Sequence, residues 1–126
     1  MDKNNPIAQL TKSFALRVVK MCQYLGDKKM EFVISKQLLR SGTSIGANVR
    51  ESIYAQSKAD FISKLSIALK ESSETEYWLE LLHESGYLDD KEFESIFDDN
   101  SRISATLIKI IKKTKESEKE RLLVIV

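Results

Sequence analysis

The sequence predicts an all-α fold, an antiparallel up-down-up-down four-helix bundle, on three observations. Apolar residues recur at steps of three and four in four successive segments, the spacing of one helix face. The links between them are short (about Gly26-Asp27, Gln56-Ser57 and Gly86-Tyr87-Leu88), which favours antiparallel neighbours. Only 4 Gly and 1 Pro occur in 126 residues, too few turn signals for an all-β protein.

The first helix is expected over about 5–25. Asn5 is placed to cap it, and Pro6 sits at the first helical position, where its missing N–H has no partner to lose. Ile7, Leu10, Phe14, Val18, Met21 and Leu25 form its stripe, and Gly26 fits the left-handed position that ends a helix. The second helix is expected over 28–55 with Asp27 as cap and a stripe of Ile34, Leu38, Ile45, Val49 and Ile53. Within it, Gly42 and Gly46 each cost about 1 kcal/mol against Ala, so a kink or a close helix contact is expected there.

The third helix, over 58–85, opens with the capping-box pattern Ser57-Lys58-Ala59-Asp60. Phe61, Leu65, Ala68, Ser72, Thr75, Leu79 and Leu82 share one face, and Gly86 ends the run. The fourth, over 89–119, is capped by Asp89 with Glu92 three residues on; Phe93, Ile96, Ile103, Leu107, Ile110 and Ile111 carry its stripe. The apolar tail Leu122-Leu123-Val124-Ile125-Val126 either extends this helix or docks on a neighbouring subunit. All 126 residues read as a single domain.

Composition narrows the function. Apolar residues are 42% and charged residues 31%, enough for a core and too ordered for a disordered chain. One Cys excludes an internal disulfide, and one His excludes a His-rich metal site. No apolar run approaches the roughly 20 residues that span a bilayer, and the N-terminus lacks a signal-peptide layout. A cytoplasmic chain without membrane contact is expected.

The net charge of +1 hides an asymmetry. Residues 1–57 hold 9 basic and 4 acidic groups, or +5, and residues 58–126 hold 11 and 15, or −4. Arg17, Lys20, Arg40 and Arg50 form a candidate nucleic-acid-binding patch if the first two helices are adjacent; the plainer alternative is ordinary solvated charge. In the last helix, acids crowd residues 89–99 and bases residues 102–115. Acids first and bases last suit the helix dipole, which is taken as the main reason for that polarity.

Apolar residues also lie off the core stripes. Tyr77, Trp78 and Leu81 on the third helix, and Leu16, Val19 and Cys22 on the first, suggest a subunit interface; a wide core is the alternative. Glu80-Leu81-Leu82-His83 has the E-x-x-H spacing of di-iron bundles, but such a site needs two of these motifs and further Glu residues. The Gly42-Thr43-Ser44-Ile45-Gly46 run lacks the phosphate-loop spacing and lysine. Cys22, in an apolar helical setting without an evident His partner, reads as an inert thiol. No catalytic residue, metal ligand or cofactor is therefore expected. Ser44, Asn48 and Glu51 on the second helix form a polar stripe that can face Glu71 and Glu74 on the third, near Trp78; the resulting network would set helix register or line a small pocket.

These same residues carry a resemblance. Leu39-Arg40-Ser41-Gly42-Thr43-Ser44-Ile45-Gly46-Ala47-Asn48-Val49 with Glu51 resembles the signature of the 23S rRNA-intervening-sequence proteins, also labelled S23-like. Ser57-Lys58-Ala59-Asp60-Phe61, Lys64 through Glu71 and Glu74 through Leu79 continue it, over roughly residues 5–115. The resemblance implies a four-helix bundle assembled as a homopentameric barrel. Some members are encoded in insertions within 23S rRNA genes. A related branch is the accessory protein of diversity-generating retroelements, a basic pentamer that engages nucleic acid and a reverse transcriptase. The near-neutral charge departs from that branch, which bears on nucleic-acid binding and leaves bundle and pentamer untouched. The expected function is non-enzymatic: an oligomeric bundle associated with RNA or DNA or, as the alternative, an interaction module for a separately encoded protein partner.

Overall fold

The computed structural model describes residues 1–125, in four helices: α1 (Pro6–Lys29), α2 (Ile34–Ile53), α3 (Lys58–Glu84) and α4 (Asp90–Ile125). They pack in sequence order as an up-down bundle, α1 on α2, α2 on α3 and α3 on α4, with a thinner α1–α4 seam closing the ring. Lys58 at the start of α3 pairs with Glu118 near the end of α4 at 3.6 Å, as antiparallel neighbours must.

Local chemistry explains the helix starts. The Asn5 side chain accepts from the Ile7 N–H at 3.0 Å. Ser57 accepts from the Asp60 N–H at 3.1 Å. Asp89 and Glu92 close a reciprocal capping box, with bonds of 2.8 and 2.9 Å. The α1–α2 turn differs from expectation. Gly26 does not stop α1, which runs on to Lys29 and ends at Met30, whose left-handed backbone (φ 54°) returns its N–H to the Leu25 carbonyl. Gly26 instead makes room for the Phe32 ring, which a Cβ would meet at 3.1 Å. Asp27 therefore lies inside α1, and Glu31 caps α2: its buried carboxylate accepts from the N–H groups of Val33, Ile34 and Ser35.

α2 runs unbroken through both glycines, so the close contact is realised rather than the kink. A Cβ on Gly42 would stand 2.9 Å from both Val18 methyls, and one on Gly46 would stand 3.2 Å from the Thr11 carbonyl oxygen. A single apolar core results. It includes Phe14, Val18 and Leu25 of α1, Leu38, Ile45 and Val49 of α2, Leu65, Leu79 and Leu82 of α3, and Ile96, Ile103 and Leu107 of α4. Ser72 and Thr75, expected on the α3 core face, are fully buried. They are satisfied across helices: Ser72 donates to Asn100 Oδ1 at 2.8 Å, Asn100 Nδ2 donates to the Ser72 carbonyl at 2.9 Å, and Thr75 donates to Ser41 Oγ at 3.0 Å.

The last helix overruns the 119 boundary. The tail extends α4 through Ile125; Val126 lies outside the described residues. Past the Lys58–Glu118 pair the helix leaves its neighbours, and Leu122, Leu123 and Val124 are 52%, 68% and 87% exposed. The dipole account holds at the start of α4, where Asp90 and Glu92 sit in the first turn, and fails at its end, where the last turn holds no base. Lys115 stops ten residues short of the helix end, and the dipole acts only within the terminal turn. Among the described residues no helix is long and apolar enough to cross a membrane.

Candidate functional site

The structure separates the four cations of the first two helices. Arg17 turns toward α4, where it pairs with Asp99 at 2.5 Å and donates to the Ser95 hydroxyl and carbonyl. Arg40 turns the other way, toward α3, and bridges Glu71 (3.4 Å) and Glu74. Lys20 and Arg50 are exposed, and neither makes an ion pair among the described residues.

The polar cluster between α2 and α3 is built around Arg40. Trp78 Nε1 donates to Glu74 Oε2 at 3.1 Å. That bond, together with Arg40, holds the Glu74 carboxyl below its usual range against the opposing effect of burial. The Glu74 hydrogen bond in turn raises the Arg40 guanidinium further. Ser44 and Asn48 do not reach across. Ser44 Oγ donates to the Arg40 carbonyl at 2.5 Å, and Asn48 Nδ2 donates to the Ser44 carbonyl at 2.8 Å, so both bond within α2. Glu51 meets Lys64 of α3 at 3.9 Å. Sequence reasoning thus placed Glu71, Glu74 and Trp78 together but missed that Arg40 joins them.

The remaining chemical groups are committed elsewhere. His83 Nε2 lies 2.7 Å from Asp90 Oδ1, and its ring stacks on Phe93 at 4.2 Å, so its partners sit on α4. Among the described residues no group of three or more His, Cys, Asp or Glu side chains is placed to hold a metal. Cys22 Sγ donates to the Ser35 carbonyl at 3.2 Å. Burial, then the Glu31 charge, push its thiol up to about 11, which keeps it protonated and weakly nucleophilic at neutral pH.

Three surfaces remain. The outer groove between α1 and α2, about 270 Å³, is lined by Ala8, Ala15, Thr43, Gly46 and Ala47, with Lys12 and Arg50 at its rim. It follows from the glycine contact: small residues bring the helices close and leave a shallow trough outside. Leu16, Phe32 and Leu39 add exposed apolar area on these elements and their link. On α3, Tyr77 is 54% exposed and stands edge-on to Trp78 at 5.1 Å, with Leu81 half-buried one turn on. The third surface is α4, where Arg102, Lys109, Lys112, Lys113 and Lys115 are all exposed and make no ion pair among the described residues. Their placement on a continuous mid-helix was hidden by the expected early end.

A family profile described as 23S rRNA-intervening sequence protein matches residues 3–109. A crystal structure from Bacteroides thetaiotaomicron, described as a protein with unknown function from the S23 ribosomal protein family, is 54% identical, with a TM-score of 0.83. The match covers 84% of this chain and 98% of that one. The comparison with curated proteins finds no match. The α4 overhang therefore lies beyond the matched family region.

Proposed function

The chain belongs to the 23S rRNA-intervening sequence protein family, and we propose that it works without catalysis, as a homopentamer of four-helix bundles that associates with nucleic acid. The observation carrying the assembly half is the pair of dissimilar apolar surfaces on one bundle. The α1–α2 groove has a basic rim, Lys12 and Arg50. The outer side of α3 carries Tyr77, Trp78 and Leu81 beside Glu76 and Glu80, and residues 58–86 have a net charge of −3. A closed ring needs two different, complementary patches on every subunit, and these fit each other in both polarity and charge. The expected occupant of the groove is the α3 face of the next copy.

The nucleic-acid half rests on the family and on the cations. A binding titration at low and moderate salt tests it; complete absence of salt-dependent RNA or DNA binding contradicts it. Light scattering tests the assembly: the account expects about five times the 14.4 kDa chain mass, and a single-chain mass contradicts it.

One observation favours a second reading, a docking module for a separately encoded protein. The terminal turn of α4 presents Leu122, Leu123 and Val124 to solvent, outside the matched family region. Pull-downs with and without residues 122–126 test it, and an unchanged set of partners removes the tail from that role.

A further inference from the structure

The cations of the first two helices were the obvious candidates for phosphate contact, yet two of the four, Arg17 and Arg40, are held by carboxylates of other helices. The bases of α4 are not. Residues 102–115 hold Arg102, Lys109, Lys112, Lys113 and Lys115 with no acid. All five side chains are exposed, and none is ion-paired among the described residues. Asp99, which is held by Arg17, and Glu116 bound the window, and neither pairs with it. Arg102, Lys109 and Lys113 follow at steps of seven and four, with Lys112 beside them, on the side of α4 opposite its buried stripe Ile103, Leu107 and Ile111. At 1.5 Å per residue the window runs for about 20 Å along a straight helix. The helix dipole does not account for it, because the helix ends ten residues further on.

We infer that this face of α4 is a docking surface for the phosphate backbone of a duplex nucleic acid. This rests on the nucleic-acid reading above and moves its site from α1 and α2 to α4. Three features favour a duplex. Paired phosphates give a dense linear charge that a straight cationic row matches. The window has no aromatic side chain on which an unpaired base could stack. Its contacts are charges alone, so recognition is by backbone and not by sequence. A membrane surface fits less well: the apolar side of α4 here is committed to the core, and Ile108 is the one large apolar residue exposed within the window. Repetition of the row around a ring would add avidity.

The test is fluorescence anisotropy of a short labelled RNA duplex, titrated with the full chain from about 50 to 200 mM salt. Four or five phosphate contacts predict a fall in affinity of roughly 10²-fold over that range. A variant with Arg102→Gln, Lys109→Gln, Lys112→Gln, Lys113→Gln and Lys115→Gln should lose the binding and most of the slope. Its melting temperature should hold, because no partner charge is stranded. Lys20→Gln, an exposed α1 cation outside the groove, should bind as the parent does. If the α4 variant keeps the parental affinity and slope, the inference fails and the nucleic-acid reading stands. If the parent binds single strands but no duplex, the inference alone fails; if it binds neither, both fail. Tighter binding to a single strand overturns the duplex assignment. Equal binding to phosphatidylserine vesicles overturns the nucleic-acid assignment in favour of a generic anionic surface.

Discussion

The two halves of this bundle are joined by opposite means. The α1–α2 seam closes through missing side chains: Gly42 lies under the Val18 methyls, and Gly46 lies against the Thr11 backbone. The α3–α4 seam closes through a buried polar clamp, Ser72 with Asn100 in both directions. The outer surfaces follow suit. The glycine seam leaves a shallow trough lined by small side chains, suited to another helix. The clamped side presents an exposed row of charge along α4, suited to a polyanion. The α1–α2 pair thus presents a trough and the α3–α4 pair a row of exposed charge.

The largest expected effect strikes the glycine seam. Gly42→Val should destabilise the fold by about 3 kcal/mol, since the added carbons overlap a fully buried Val18. Urea unfolding checks it, as a lowered midpoint with an unchanged slope. Val18→Ala in the same chain should recover part of the loss; no recovery would mean that the contact is not the cause.

The clamp should respond less strongly. Asn100→Ala should cost about 2 kcal/mol, because the buried Ser72 hydroxyl loses its acceptor. Pairing Ser72→Ala with Asn100→Leu should restore much of it, because both polar groups then leave together. A double variant worse than the sum of the singles would mean that the two groups do not satisfy each other.

The smallest effect belongs to the Arg40–Glu74–Trp78 group, which is partly exposed. Glu74→Gln should cost at most about 1 kcal/mol at neutral pH. The folded carboxyl titrates below its usual 4.5, so it stabilises the fold above that value. This contribution fades as pH falls through the lower folded value. Stability measured from pH 6 downward should therefore be flatter for Glu74→Gln than for the parent, and parallel curves would remove Glu74 from the account.

What the sequence made legible was local. The α3 stripe from Phe61 to Leu82 was readable because its three-four period is intact, including Ser72 and Thr75 on the core face. The Ser57 and Asp89 caps were readable because their partners lie three residues away. Gly26 and Asp27 misled because their local preferences were outweighed by the Phe32 ring and the Glu31 cap, both set by how the turn folds back. The partners of Arg17 and Arg40 lie 82 and 34 residues off, beyond any local pattern. Asn100 sits within the α4 stripe, between Ile96 and Ile103, and that position was a usable sign of a buried polar contact.

The claim that the α1–α2 trough receives a second copy meets its most direct test in sedimentation equilibrium of the parent beside Ala47→Glu. Ala47 is exposed on the trough wall, so a carboxylate there leaves the bundle intact and blocks only the neighbour. The account predicts about five times 14.4 kDa for the parent and a single-chain mass for the variant, with equal helix content in both. A parent that sediments as one chain, or a variant that assembles as the parent does, would contradict it.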